Sequence, residues 1–172
     1  DGTDAVMLSA ETAAGKFPIE TVQAMARVCV GAELHPSVNV SNHRLEETFQ
    51  SISETTAMAA VYAANHYKSI KAIVGLTESS SSVKLMSRIT TSLPIIGLSR
   101  HTDTLNMMAL YRGVTPLYFD STVSKPGQVT ADVVAHLKNE GLLESGDQII
   151  FTYGDQMETV GATNTCKIVT IS

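Results

Sequence analysis

Four short apolar runs alternate along this chain with segments whose apolar residues recur at helical spacing. They are Ala72-Ile73-Val74-Gly75-Leu76, Pro94-Ile95-Ile96-Gly97-Leu98, Pro116-Leu117-Tyr118-Phe119 and Gln148-Ile149-Ile150-Phe151-Thr152-Tyr153. Strands that read as continuous apolar runs are buried on both faces, and the helices between them supply the cover. The pattern predicts an α/β fold: a three-layer domain with a mostly parallel sheet and right-handed crossovers. The helical patterns fall at Val83, Met86 and Ile89, at residues 104–110, and at Val129, Val133, Val134 and Leu137, with Gly141 placed to end the last. A fifth run, Lys167-Ile168-Val169-Thr170-Ile171, follows the fourth across residues 154–164, which carry no helical pattern. A connection without a helix favours an antiparallel return, so five strands are expected, the last antiparallel at an edge.

A capping box, Ser51 with Glu54 three residues on, opens the helix ahead of the first of these strands, and Ala57, Met58, Val61 and Ala64 lie on one face of it. Residues 34–50 are polar and irregular, with Pro36, Asn39, Ser41 and Asn42, and read as a connector. Residues 1–33 hold one apolar run, 5–8, read as a buried strand. A helix follows, opened by Phe17-Pro18, with Val22, Met25, Ala26 and Cys29 on one face, and it fades near Gly31. One strand and one helix are too little for a domain. This arm is expected to be disordered, or to pack adventitiously, without partners from elsewhere. The chain starts at Asp1 directly in such sequence, and a longer parent protein is expected. The organisation read is thus a β/α unit at 1–33, a connector at 34–50 and an α/β domain at 51–172.

Charge narrows the partners. The formal net charge is -5 and no stretch is strongly basic, so bulk attraction to nucleic acid or anionic membrane is not expected. No apolar run approaches the length of a membrane span. Cys29 and Cys166 lie far apart and read as two reduced, mostly buried thiols of a cytoplasmic protein. His35, His43, His66, His101 and His136 lack ligand spacing, so surface or packing roles are expected and no metal site.

Parallel sheets place ligands at the carboxyl ends of their strands. That rule selects Thr77-Glu78-Ser79-Ser80-Ser81-Ser82, which follows a strand and precedes a helix. Unpaired N–H groups at a helix start, together with hydroxyls, suit a phosphate, and an ordinary serine-capped helix start has the same sequence. It also selects residues 154–165, where Gly154, Gly161 and several hydroxyls suit a loop that closes over a ligand, and equally a plain hairpin. Asp155 and Glu158 in that loop would repel a second phosphate. Residues 9–16 follow the first apolar run and are compatible with an active-site rim.

Three stretches carry a family resemblance. Met7-Leu8-Ser9-Ala10-Glu11-Thr12-Ala13, preceded by Asp1-Gly2-Thr3-Asp4 and followed by Gly15 and Pro18, resembles the last barrel strand and loop of pyruvate kinases. Ala109-Leu110-Tyr111-Arg112-Gly113-Val114 with Pro116, and then Gly161-Ala162-Thr163-Asn164-Thr165, continue the match in the family's order over nearly the whole chain. The resemblance implies that residues 1–33 are the final strand and helix of a TIM barrel, the catalytic one, and that 51–172 form the C-terminal regulatory domain. It implies a parent enzyme that transfers a phosphoryl group from phosphoenolpyruvate to ADP, the last step of glycolysis, using Mg²⁺ and K⁺ as a cytoplasmic homotetramer. Ser9 matches a family serine near the pyruvate site, implicated in the proton relay, with Glu11 and Thr12 in support. Ala14 stands where many relatives carry a lysine near the nucleotide. The family's metal-binding carboxylates, catalytic lysine and potassium ligands lie upstream of Asp1, so the chain alone is expected to be inactive.

The resemblance also implies an effector site. Thr77, Ser79 and Ser82 match phosphate-binding hydroxyl positions, and Ser81, Asp155 and Gly161 belong to the same two loops. Ser80 and Ser81 stand where a Gly-Arg pair is common, and Glu78 where some bisphosphate-regulated relatives carry lysine. The wording is similar to the bacterial type activated by AMP or sugar monophosphates, so one of those is the expected effector rather than fructose 1,6-bisphosphate. The alternative is a subunit-interface module with no ligand of its own.

Overall fold

The structure, a computed structural model, describes residues 3–35, 48–156 and 159–172. Its elements run α1 (Ala10–Ala13), α2 (Pro18–Glu33), α3 (Ile52–His66), β1 (Ile70–Leu76), α4 (Ser81–Ser87), β2 (Ile95–Ser99), α5 (Thr102–Met108), β3 (Val114–Tyr118), a 3-10 turn (Ser121–Val123), α6 (Val129–Asn139), β4 (Gln148–Gly154) and β5 (Thr163–Thr170). The five-stranded sheet has the order β3-β2-β1-β4-β5, parallel except for β5, which is antiparallel to β4 at one edge. This is the expected architecture. One strand differs clearly from its expected bounds: β5 starts at Thr163 rather than Lys167, because the ladder with β4 runs on through Thr165 opposite Tyr153 and Thr163 opposite Gly154. Those polar residues belong to the strand and not to the loop.

Each face of the sheet has its own core. On one, Ala57, Val61, Val83, Met86 and Met108 of α3, α4 and α5 pack on Ile73, Ile95 and Ile150. On the other, Val133 and Leu137 of α6 pack on Val74, Ile96, Leu98 and Phe151. Successive strand residues point to opposite faces, so Ile73/Val74, Ile95/Ile96 and Ile150/Phe151 each serve both cores, which is why these strands are apolar throughout. Gly75 and Gly97 are register partners in mid-sheet. A Cβ at Gly75 would lie 2.9 Å from both Met86 Cε and Val83 Cγ2, and one at Gly97 would overlap Met108 Sδ. The two glycines therefore set how closely α4 and α5 approach the sheet.

The capping box of α3 forms with its return arm displaced by one residue. Ser51 Oγ accepts from the Glu54 N–H at 3.2 Å, and the Glu54 carboxylate accepts from the Gln50 N–H at 2.9 Å.

The N-terminal arm departs from its sequence reading. No strand forms over residues 5–8, where Val6 is 56% and Met7 87% exposed. A lone apolar run has no ladder to join, and its backbone groups turn to solvent. α2 forms and continues two residues past Gly31, yet buries none of its side chains. Asp4 helps to fasten the arm: its Oδ1 accepts from Arg88 Nη2 at 2.6 Å and from the Arg112 N–H at 2.7 Å. The Arg88 hydrogen bond is the main reason the Asp4 carboxyl lies below its ordinary 3.8. Of the expected connector, residues 36–47 lie outside the described residues. The two cysteines are free thiols but not mostly buried: Cys29 is half-buried, because α2 lies off the core, and Cys166 is exposed on the edge strand.

Candidate functional site

Topology singles out one crevice. The crossover that leaves β1 passes through α4 on one face, whereas the crossover that enters β4 passes through α6 on the other. The winding thus reverses between the adjacent strands β1 and β4, and loops that diverge at such a point leave a cleft at the carboxyl ends of the strands. A polar pocket lies there, lined by Leu76, Thr77 and Glu78 after β1, by Gly154, Gln156, Thr159, Gly161 and Thr163 of the β4–β5 hairpin, and by Ser121 beyond β3. It encloses about 30 Å³, room for one or two waters. A larger groove of about 540 Å³ runs between α6 and β5 past Lys138, Lys167 and Thr170, toward the opposite end of the sheet.

The pocket floor is held by the sheet. The Thr77 N–H donates to the Leu98 carbonyl at 3.0 Å. The Glu78 carboxylate accepts from His101 Nε2 at 2.6 Å and from Arg100 Nη2 and Nε at 3.2 and 3.4 Å, and its carbonyl accepts from Thr104 Oγ1 at 2.8 Å. Asp120, after β3, is held below its ordinary 3.8 chiefly by the Thr122 hydroxyl and then by the Thr122 N–H, with Arg100 and His101 adding to the effect. Arg100 and His101 are thus flanked by two carboxylates.

The serine loop divides into distinct environments. Ser79 Oγ and Ser81 Oγ lie 3.0 Å apart. Ser80 has φ +65°, and its hydroxyl meets the Tyr111 hydroxyl at 2.9 Å. Ser82 is buried, and its hydroxyl has no hydrogen-bond partner among the described residues. An unpaired buried hydroxyl costs about 1–3 kcal/mol, which a donor or acceptor arriving from outside would offset. α4 is only seven residues long, so its dipole is small.

In the hairpin, the Asp155 N–H donates to Asn164 Oδ1 at 3.1 Å, and the Asp155 carboxylate accepts from Thr165 Oγ1 at 3.1 Å and Asn164 Nδ2 at 3.3 Å. Asp155 therefore staples the hairpin together and does not line the pocket. Gly161 does line it, at φ +78°, and its carbonyl accepts from Ser53 Oγ at 3.2 Å, which ties the hairpin to the first turn of α3. Glu158 lies outside the described residues.

The predicted residues are thus only partly brought together. Thr77 and Gly161 share the pocket, whereas Ser79, Ser81 and Ser82 follow in the same loop and the start of α4 without lining it. Asp155 is engaged elsewhere. Ser9 lies on the arm, where its N–H donates to the Glu11 carboxylate at 2.9 Å and its carbonyl accepts from the Thr12 and Ala13 N–H groups at 3.1 and 3.0 Å. Glu11's own N–H, and then that of Ser9, hold its carboxyl below the ordinary 4.5.

Sequence reasoning missed Arg100, His101, Ser121 and Ser53. Arg100 and His101 directly follow β2 and Ser121 comes three residues after β3, so the rule that selected Thr77 would have found them had it been applied to every strand. Ser53 meets its partner across 108 residues of sequence and carries no local signal. Among the described residues no group of three or more His, Cys, Asp or Glu is arranged to hold a metal ion, and no helix is long and apolar enough to cross a membrane.

Comparison with known proteins agrees with this geometry. Residues 54–169 match the family model described as the pyruvate kinase α/β domain. The chain is 57% identical over 172 residues to pyruvate kinase II of Salmonella typhimurium, covering 99% of this chain and 35% of that protein. It is 51% identical over 172 residues to the pyruvate kinase of Haemophilus influenzae, again covering 99% of this chain and 35% of the relative. Two solved structures of pyruvate kinase from Cryptosporidium parvum superpose with TM-scores of 0.75 and 0.73 at 30% identity, covering 97% of this chain and 33% of theirs. The chain spans about a third of the length of the curated relatives it matches. By fold, by motif and by these likenesses the chain belongs to the pyruvate kinase family.

Proposed function

We propose that this chain is the effector-binding and subunit-contact part of an enzyme that transfers a phosphoryl group from phosphoenolpyruvate to ADP in the cytoplasm. On this reading residues 1–33 supply the last strand and helix of the catalytic barrel, 34–50 the connector and 51–172 the regulatory domain. The exposure of Phe17, Ile19, Val22 and Val30 on the arm supports it, since these apolar side chains need a partner surface that the other described residues do not provide. Ser9 would take part in the proton relay at the pyruvate site. Mg²⁺ and K⁺ would be held by residues outside this chain, as the family resemblance implies.

The effector is a monophosphate, a sugar phosphate or AMP. One observation carries the reading: a polar pocket where the winding of the sheet reverses, at the start of the loop whose Ser82 hydroxyl is buried without a partner among the described residues. Its phosphate would be received by Thr77, Ser79, Ser81 and Ser82, with Gly161 on the opposite wall. Asp155 acts indirectly, by fixing the hairpin. The present space is too small for a sugar phosphate, so Gln156, Thr159 and Gly161 must shift outward on binding. Calorimetric titration with glucose 6-phosphate, ribose 5-phosphate, AMP and fructose 1,6-bisphosphate tests this. Saturable binding of a monophosphate supports the reading, and tight binding of the bisphosphate contradicts it.

A second reading, a pure subunit-interface module in a homotetramer, is favoured by the edge strand β5, whose Cys166, Lys167 and Ile168 are exposed. Concentration-dependent assembly of the chain with no response to any of the four ligands would select it.

A further inference from the structure

We infer that Tyr111 is a positioning residue that sets the backbone state of the serine loop and ties that state to the N-terminal segment carrying Ser9. Ser80 is the strained position of the loop. Among the described residues it is the only non-glycine with positive φ, +65°. A left-handed conformation is disfavoured for an L-residue and persists only where the surroundings over-determine it. Ser80 is 1% exposed, and the group that meets its hydroxyl is the Tyr111 hydroxyl at 2.9 Å.

Tyr111 is bound on two further sides. Its ring lies beneath the Arg88 guanidinium, 6.0 Å from the ring centroid. That guanidinium donates to Asp4 at 2.6 Å, and the same Asp4 oxygen accepts from the N–H of Arg112, the next residue after Tyr111, at 2.7 Å. One side chain therefore touches the strained loop through its hydroxyl and the arginine through its ring. Its neighbouring peptide group holds the carboxylate five positions ahead of Ser9. A return of Ser80 to negative φ would release the Tyr111 hydroxyl and shift the ring, disturbing both donors to Asp4. Coupling of this kind is reciprocal, so loss of the Asp4 contact should loosen Ser80. The two-state element this coupling requires is the Ser80 backbone, whose positive φ is the conformation that Tyr111 would hold. These contacts are the chain's own, and the inference stands or falls independently of ligand binding.

The test is amide hydrogen exchange, by NMR, on the whole 172-residue chain without ligand. The Lys84 N–H, which donates to the Ser80 carbonyl at 2.8 Å, reports the loop, and the Arg112 N–H reports the arm. Tyr111→Phe, which keeps the ring, should speed exchange at both by about fivefold, and Asp4→Asn should do the same at Lys84. Ser80→Gly adopts positive φ freely, so on that background Tyr111→Phe should leave Lys84 unchanged. A plain packing role would give equal effects on both backgrounds. That result overturns the inference, as does an Asp4→Asn effect confined to the arm and Arg112.

Discussion

The Glu78 carboxylate is paired with Arg100 at 3.2 Å across the carboxyl ends of the adjacent strands β1 and β2. His101 joins the same oxygen at 2.6 Å. The sequence presents Glu78 as a bare negative charge that repels phosphate. In the fold that charge is compensated in place, and on the proposed reading an incoming phosphate would compete with Glu78 for Arg100 and His101.

Glu78→Gln should therefore strengthen phosphate monoester binding. Removing one carboxylate that lines the pocket should raise the affinity for glucose 6-phosphate by about tenfold, equivalent to ~1.4 kcal/mol. Calorimetry on the variant measures it, and an unchanged affinity would mean that this charge is not felt at the phosphate position.

Gly97→Ala should destabilise the fold by about 1–3 kcal/mol, the usual cost of overpacking a filled core, because the new methyl overlaps Met108 Sδ. Gly31→Ala is the matched control: the site is helical with open space around it, and the change should stay within about 0.5 kcal/mol. Urea unfolding of both variants gives the comparison. Equal midpoints would show that α5 does not approach the sheet as closely as described.

Asp4 should titrate below 3.8 in the folded chain. A depressed carboxyl pKa contributes stability that is present above the unfolded value and is lost as the pH falls through the folded one. The contact of the arm with Arg88 and Arg112 should thus be insensitive to pH from neutrality down to about 4 and be released below 3.8. Carbon NMR of the Asp4 carboxyl follows the titration directly, and Arg88→Lys should move its midpoint back toward 3.8. A wild-type midpoint at or above that value would show that the contact does not form in solution.

α2 should be cut before the α/β domain is. It buries none of its side chains, and an isolated helix of 16 residues is marginal in water. Brief trypsin treatment should cleave after Lys16 or Arg27 at least about tenfold faster than at Lys71 or Lys84, because proteolysis tracks local opening. Equal rates would mean that the arm has found a stable packing partner.

The parts of this account that were legible in the sequence are those governed by local pattern. Ile73, Ile96 and Phe151 lie in runs that only a sheet covered on both faces can bury, so strand number, direction and the antiparallel edge follow. The start of β5 was hidden because Thr163, Asn164 and Thr165 are polar, and only their register with β4 makes them a strand. Val6 and Leu8 read as a buried strand because apolar alternation says what a segment prefers and not whether a ladder is available to it. At the site, Thr77 and Gly161 were legible through the rule that ligands sit at strand carboxyl ends. The Glu78–Arg100 pairing, the Ser53–Gly161 bond and the turning of Asp155 to Asn164 and Thr165 depend on contacts between separate loops, which no spacing encodes.

The most direct test of the central claim is the calorimetric titration of glucose 6-phosphate into the chain and into Ser82→Ala. The Ser82 hydroxyl is buried without a partner among the described residues, so its removal should leave stability unchanged or slightly improved in the free protein. If that hydroxyl receives the phosphate, the variant should bind about tenfold more weakly, the order of one hydrogen bond to a charged group. Saturable binding by the wild-type chain, weakened in this way, is the predicted result. Absence of binding, or binding that Ser82→Ala does not change, would contradict a phosphate site built on the serine loop.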